Sequence, residues 1–128
     1  MNKDRTILIV EDNADMHLLL SNIFRDAGYK TSSVYNGYDA LRIYNKTHPE
    51  FIVLDLRLPG KNGLEIIREI RQNNKEVKII LITAYGDHRI EKKIMDMGAY
   101  AYFTKPFSNC DLLNTINHAN EERFVEAQ

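Results

Sequence analysis

Residues 51–63 read FIVLDLRLPGKNG, and this stretch decides the fold. Phe51 to Leu54 is an unbroken apolar run, as expected of a strand covered on both faces. An acid, Asp55, stands where the run stops. Pro59, Gly60 and Gly63 then form a loop, and Leu64, Ile67 and Ile70 follow at helical spacing. The unit is strand, loop, helix.

The same unit recurs along the chain in both directions. Thr6 to Val10 (TILIV) is a strand, and Met16, Leu19, Leu20, Ile23, Phe24 and Ala27 line one face of the helix after it. Gly28 closes that helix, because glycine tolerates the left-handed position beyond a helix end. Lys30 to Val34 is a weaker strand. Asn36-Gly37 turns the chain into a helix through Ala40, Leu41 and Tyr44, and Pro49 breaks it. Val77 to Ile82 (VKIILI) is the fourth strand. Asp87 can cap a helix carrying Ile90, Ile94 and Met97, ended by Gly98. Tyr100 to Phe103 is a short fifth strand. Ser108, with Asp111 three residues on, resembles a capping box and opens a last helix through Leu112, Leu113, Ile116 and Ala119. Five such units predict an α/β fold with a doubly wound, five-stranded parallel sheet; the strand order taken for it, 2-1-3-4-5, is the flavodoxin-like (βα)5 one of such sheets. Residues 1–121 form the domain, and the mostly polar residues 122–128 are read as a C-terminal tail.

The composition fits one soluble domain. The chain has 128 residues, 44% apolar and 27% charged, enough to bury roughly two-thirds of its unfolded surface without a disulfide or metal staple. The net charge of −1 argues against direct nucleic-acid binding, which needs a basic excess. The lone Cys110 makes no internal disulfide and reads as a small apolar residue in a reducing compartment. Residues 1–5 lack the apolar stretch of a signal peptide, and no run approaches the ~18 apolar residues of a membrane span. The expectation is a cytoplasmic protein with no membrane contact.

In a doubly wound sheet, ligands bind beyond the carboxyl ends of the strands. Glu11 and Asp12 follow strand 1, Asp55 follows strand 3, Thr83 follows strand 4, and Thr104 and Lys105 follow strand 5. Strands 1, 3, 4 and 5 are neighbours roughly 5 Å apart, so these residues line one crevice. Two carboxylates about 4 Å apart repel by roughly 4 kcal/mol at an effective dielectric of 20. Such a cluster calls for a cation, either Lys105 or a metal. The acidic ligands are all oxygens, which suits Mg²⁺, with Mn²⁺ as its substitute. A carboxylate can also act as a nucleophile and form an acyl phosphate, and phosphoryl transfer asks mainly for positioning and charge neutralisation.

Four pieces carry a family resemblance: ILIVEDN (7–13), FIVLDLRLPGKNG (51–63), ITAYG (82–86) and YFTKPF (102–107). In order and at these spacings they resemble the CheY-like receiver domain of response regulators, and most of all the single-domain sporulation phosphorelay regulators and the receivers of NtrC-type activators. The resemblance implies that Asp55 accepts a phosphoryl group from a phosphohistidine of a sensor histidine kinase or histidine phosphotransfer protein. It implies that Asp12 binds the metal directly, Glu11 acts mostly through water, and Asp55 and the backbone carbonyl of Arg57 complete the protein ligands. Thr83 is implied as the switch hydroxyl, Lys105 as the essential lysine before a cis proline, Pro106, and Tyr102 as the aromatic switch residue. Phosphorylation would remodel the surface of helix 4, strand 5 and helix 5 for a downstream effector. Arg57 and Tyr85, which vary in the family, are read as shields that lengthen the life of the acyl phosphate. Glu11 stands where aspartate is commoner, a departure that bears on metal affinity. The domain is expected to transfer phosphate onto itself and hydrolyse it, without being a conventional turnover enzyme.

Blander readings stand beside these. Glu11-Asp12 can also cap helix 1, and Tyr102 can be a plain strand residue. His17, His48, His88 and His118 show no ligand spacing and are expected to be solvated. The basic run His88, Arg89, Lys92, Lys93 is a solvated helix face or a partner surface. Among rival functions, a dehalogenase-type phosphatase wants an acid where Arg57 stands, and a flavodoxin wants a Ser/Thr/Gly phosphate loop where Glu11 and Asp12 stand. A nucleotide-binding P-loop motif is missing. The chain is read as a complete relay protein in preference to a receiver input domain cut from a longer transcriptional regulator, or to an interaction module that is never phosphorylated.

Overall fold

The computed structural model describes residues 5–84 and 86–126, with side chains as far as residue 121. The elements alternate as β1 (Thr6–Val10), α1 (Ala14–Asp26), β2 (Lys30–Val34), α2 (Gly37–Thr47), β3 (Phe51–Asp55), α3 (Gly63–Asn73), β4 (Lys78–Thr83), α4 (His88–Asp96), β5 (Ala101–Thr104) and α5 (Asn109–Glu126). The strands are parallel and lie in the order β2-β1-β3-β4-β5, the doubly wound α/β fold expected.

Strand side chains alternate between faces, and the chain uses both. Leu8, Val10, Ile52, Leu54, Ile79 and Leu81 point to one face, where they meet Ala40, Ile66, Ile67, Ile70 and Ile94 of α2, α3 and α4. Ile7, Ile9, Phe51, Val53, Ile80 and Ile82 point to the other, against Leu20 and Phe24 of α1 and Leu112, Ile116 and Ala119 of α5. Each fully buried Ile, Leu or Phe stabilises the fold by roughly 1.5–3 kcal/mol. This two-sided burial is why the central strands have no polar alternation.

The helices start where a side chain can satisfy their free N–H groups. Asn13, Asn36, Asn62 and Asp87 accept from the backbone N–H of Met16, Asp39, Glu65 and Ile90, three residues on in each case. Ser108 Oγ accepts from Asp111 N–H at 3.2 Å. Gly28 and Gly98, beyond the ends of α1 and α4, sit at φ +94° and +100°, where a side chain would be strained.

Several boundaries differ from the sequence reading. β3 takes in Asp55, β4 starts at Lys78 and takes in Thr83, and β5 starts at Ala101 and takes in Thr104. Thr83 faces Thr104 across the ladder. A parallel ladder is made of backbone groups and continues through polar residues where an apolar pattern stops. The segment from 122, set apart as a tail, is helical as far as Glu126. No helix among the described residues is long and apolar enough to cross a membrane.

Candidate functional site

The register of β1, β3 and β4 brings three polar residues to the carboxyl edge of the sheet. Glu11 follows β1 and is 2% exposed; Asp55 ends β3 and is 8% exposed; Thr83 ends β4 and is fully buried. Asp12 is exposed beside them. Glu11, Asp12 and Asp55 each offer a carboxylate oxygen, and these oxygens lie within 4.8 Å of one another.

Lys105 answers this negative charge. β5 delivers it to the same edge, where its backbone N–H donates to Thr83 O at 2.9 Å. Its ammonium donates to Glu11 Oε1 at 2.8 Å and to Asp55 Oδ2 at 3.0 Å. The following Lys105–Pro106 peptide is cis. Burial alone pulls the Lys105 ammonium down, but its hydrogen bonds to Glu11 and Asp55 outweigh that and hold its pKa above the ordinary value. Glu11 goes up as well: burial raises its pKa, and the bonds from Lys105 and from the Asn13 N–H offset only part of the shift. Hydrogen bonds to ionised groups are the strong ones, and here they hold two buried carboxylates in fixed positions.

Backbone groups fix the remaining oxygens. Arg57 N–H donates to Asp55 Oδ1 at 3.0 Å, which folds the β3–α3 loop back over the carboxylate. Asn13 N–H donates to Glu11 Oε2 at 3.1 Å. Both oxygens of each buried carboxylate are therefore held. An all-oxygen donor set this close, with two of its three members buried, fits a hard divalent cation.

The structure brings Glu11, Asp12, Asp55, Thr83 and Lys105 together at one edge. Arg57 is exposed on the rim. Tyr102, in the middle of β5, is half-buried against the α2–α3–α4 side of the sheet, away from the carboxylates. Tyr85 lies outside the described residues. The capping role considered for Glu11 and Asp12 belongs instead to Asn13, whose side chain caps α1 while its N–H holds Glu11. Its signal was an asparagine one residue ahead of an amphipathic run.

Two expectations are corrected. His17 is not solvated: it is 3% exposed, its ring packs edge-on to Tyr35 at 4.3 Å, and neither ring nitrogen has a hydrogen-bond partner among the described residues. It lies on the inner stripe of α1 with Leu20 and Phe24. Burial pulls its pKa below the ordinary value. Cys110 is an exposed thiol at the start of α5, so it fills no core space. In the basic run, Arg89, Lys92 and Lys93 line an open depression of about 360 Å³ with Asp96 and Met97, and Lys92 pairs with Asp96 at 3.2 Å.

Comparison with known proteins gives one result. The family described as the response regulator receiver domain matches residues 7–117. The chain is 36% identical over 110 residues to sporulation initiation phosphotransferase F of Bacillus subtilis, covering 86% of this chain and 89% of that one. It is 34% identical over 110 residues to the regulatory protein AtoC of Escherichia coli, covering 86% of this chain and 24% of the longer protein. Among solved structures, a CheY-like receiver domain protein from Methanospirillum hungatei superposes with a TM-score of 0.91 at 24% identity, over 97% of this chain and 99% of that one. The receiver domain of a LuxO repressor homologue from Vibrio parahaemolyticus superposes with a TM-score of 0.87 at 27% identity, over 97% and 98%.

Proposed function

The chain belongs to the response regulator receiver domain family, and from that premise we propose that it is a phosphoacceptor whose Asp55 takes a phosphoryl group from a phosphohistidine of a sensor kinase or phosphotransfer protein. The observation that carries the reading is Lys105, whose ammonium binds Glu11 and Asp55 at once in a crevice where three carboxylates converge.

In the proposed step an Asp55 carboxylate oxygen attacks phosphorus in line. The O–P bond forms as the P–N bond to the donor imidazole breaks. The imidazole leaves with the bonding electron pair and takes up a proton. Asp55 is held for this by Arg57 N–H on one oxygen and Lys105 on the other. Lys105 would then pair with a phosphoryl oxygen, and the Thr83 hydroxyl would donate to another. Glu11, Asp12, Asp55 and the Arg57 carbonyl would hold Mg²⁺, or Mn²⁺ in its place, which supplies neutralisation of phosphoryl charge when bound. The acyl phosphate would be hydrolysed in turn, with Arg57 and Tyr85 slowing the approach of water.

As a signalling module of this kind, the domain would pass its state to an effector through α4, β5 and α5, with Thr83 and Tyr102 as the responding side chains. In the AtoC match this chain corresponds to 24% of the longer protein, which supports a second reading, the input domain of a larger regulator.

The test is incubation with Mg²⁺ and acetyl phosphate, followed by intact-mass spectrometry beside Asp55→Asn and a metal-free control. A single phosphoryl adduct that needs both the metal and Asp55 is expected. An adduct that survives Asp55→Asn would refute the assignment. A folded, metal-binding protein with no adduct from acetyl phosphate or from any histidine kinase would favour an interaction module.

A further inference from the structure

Gly86, between β4 and α4, lies beneath the tip of Tyr102. Gly86 immediately precedes Asp87, the cap of α4. Its φ lies outside the left-handed region, so the backbone alone does not require glycine there. Space does: a Cβ at residue 86 would land on the Tyr102 hydroxyl oxygen, 2.5 Å from ring Cζ and 3.2 Å from Cε1. The ring tip fills the volume a side chain would take. That hydroxyl is buried and has no hydrogen-bond partner among the described residues, an arrangement that costs free energy. At its other end α4 is pinned, because Arg71 Nε and Nη2 donate to Gly98 O at 3.2 and 2.7 Å.

We infer that Gly86 is a positioning residue: its missing side chain is the seat that admits the Tyr102 hydroxyl and ties the position of that ring to the start of α4. A seated ring rests against the residue next to the helix cap. A ring that leaves the seat gains solvation for its hydroxyl and releases the start of α4, while Arg71 still holds the end. The link from this seat to signalling rests on the switch role proposed for Tyr102; the seat itself needs no phosphorylation.

The experiment is NMR on the full chain with ¹³C-labelled tyrosine and phenylalanine, without phosphodonor. In the wild type, a nuclear Overhauser contact is expected between the Tyr102 ring and the Gly86 α-protons. Gly86→Ala should empty the seat, lowering the seated population by about 5- to 150-fold, the range expected of overpacking, and shift the amides of residues 87–90. Tyr102→Phe should keep the ring–Gly86 contact and favour the seat by about fivefold or more, since no hydroxyl is left unpaired. A contact that persists unchanged in Gly86→Ala, or a ring that leaves the seat in the Tyr102→Phe variant, would overturn the inference. If Gly86→Ala does not fold, the Gly86→Ala/Tyr102→Leu double variant should, because the shorter side chain vacates the space; failure of that variant to fold would also overturn it. Phosphoryl uptake by the wild type is measured separately, so a seated ring in a chain that never takes up phosphate refutes the phosphoacceptor reading and leaves the seat standing.

Discussion

Replacing Lys105 by Met keeps most of the side-chain volume and removes the charge, which isolates the electrostatic part of the site. The ammonium bonds Glu11 at 2.8 Å and Asp55 at 3.0 Å, and the two carboxylates are 2% and 8% exposed. Without it, two buried like charges face each other. Removing one partner of a buried ion pair typically destabilises by about 3–5 kcal/mol, and repulsion of the remaining pair at about 4 Å is of similar size at an effective dielectric of 20. The lower end applies, because Lys105 keeps 18% of its side chain exposed and water reaches the gap. The expected loss is about 3 kcal/mol at neutral pH, read from urea unfolding with and without Mg²⁺. Millimolar Mg²⁺ should recover more stability in the variant than in the wild type, because the cation replaces the missing charge. The pH dependence has a definite sign. Glu11 is held above its ordinary value of 4.5, and the variant loses the Lys105 hydrogen bond that pulls it down, so it rises further. A carboxyl raised on folding binds more protons in the native state, so stability falls as pH climbs from that ordinary value through the folded one. The penalty should therefore be smallest in acid and grow toward neutrality. A loss below about 1 kcal/mol that is independent of pH and Mg²⁺ would refute the reasoning.

Three further outcomes are expected. His17→Leu should be neutral or stabilise by about 1 kcal/mol in urea unfolding near neutrality, because it removes two unpartnered buried nitrogens. His17 is depressed below 6.5 on folding, so its neutral form adds stability above that value that is lost as pH falls through the folded pKa; a scan from pH 7 to 5 should show this slope in the wild type and lose it in the variant. Gly37→Ala should destabilise by about 1–3 kcal/mol in the same assay, since its Cβ would run into the backbone carbonyl of Lys61. Arg71→Ala should lower stability by about 1–2 kcal/mol, with the fastest new amide exchange at the end of α4, where Arg71 donates twice to Gly98 O.

The fold class and the chemistry available to the site are legible in the order of residues along the chain. Short apolar runs rich in Ile and Val, bounded by turn residues and with no polar alternation, are what strands covered on both faces look like, and strands alternating with helices point to a parallel sheet with its ligands at the carboxyl edge. These are local signals, carried by neighbours in the chain, and they put Glu11, Asp12, Asp55, Thr83 and Lys105 at strand ends. Which of those groups touch depends on how distant strands are brought side by side. Lys105 meets Glu11 across 94 positions of chain and Asp55 across 50, and the register of the sheet sets those distances. The same holds for His17: polarity predicts water, but the stripe of α1 that faces the sheet buries whatever occupies it. Gly86 was visible only as part of a loop motif. Its purpose is a space that exists because β5 holds an aromatic ring over it, and a vacancy filled by a distant residue leaves no pattern in the letters beside it.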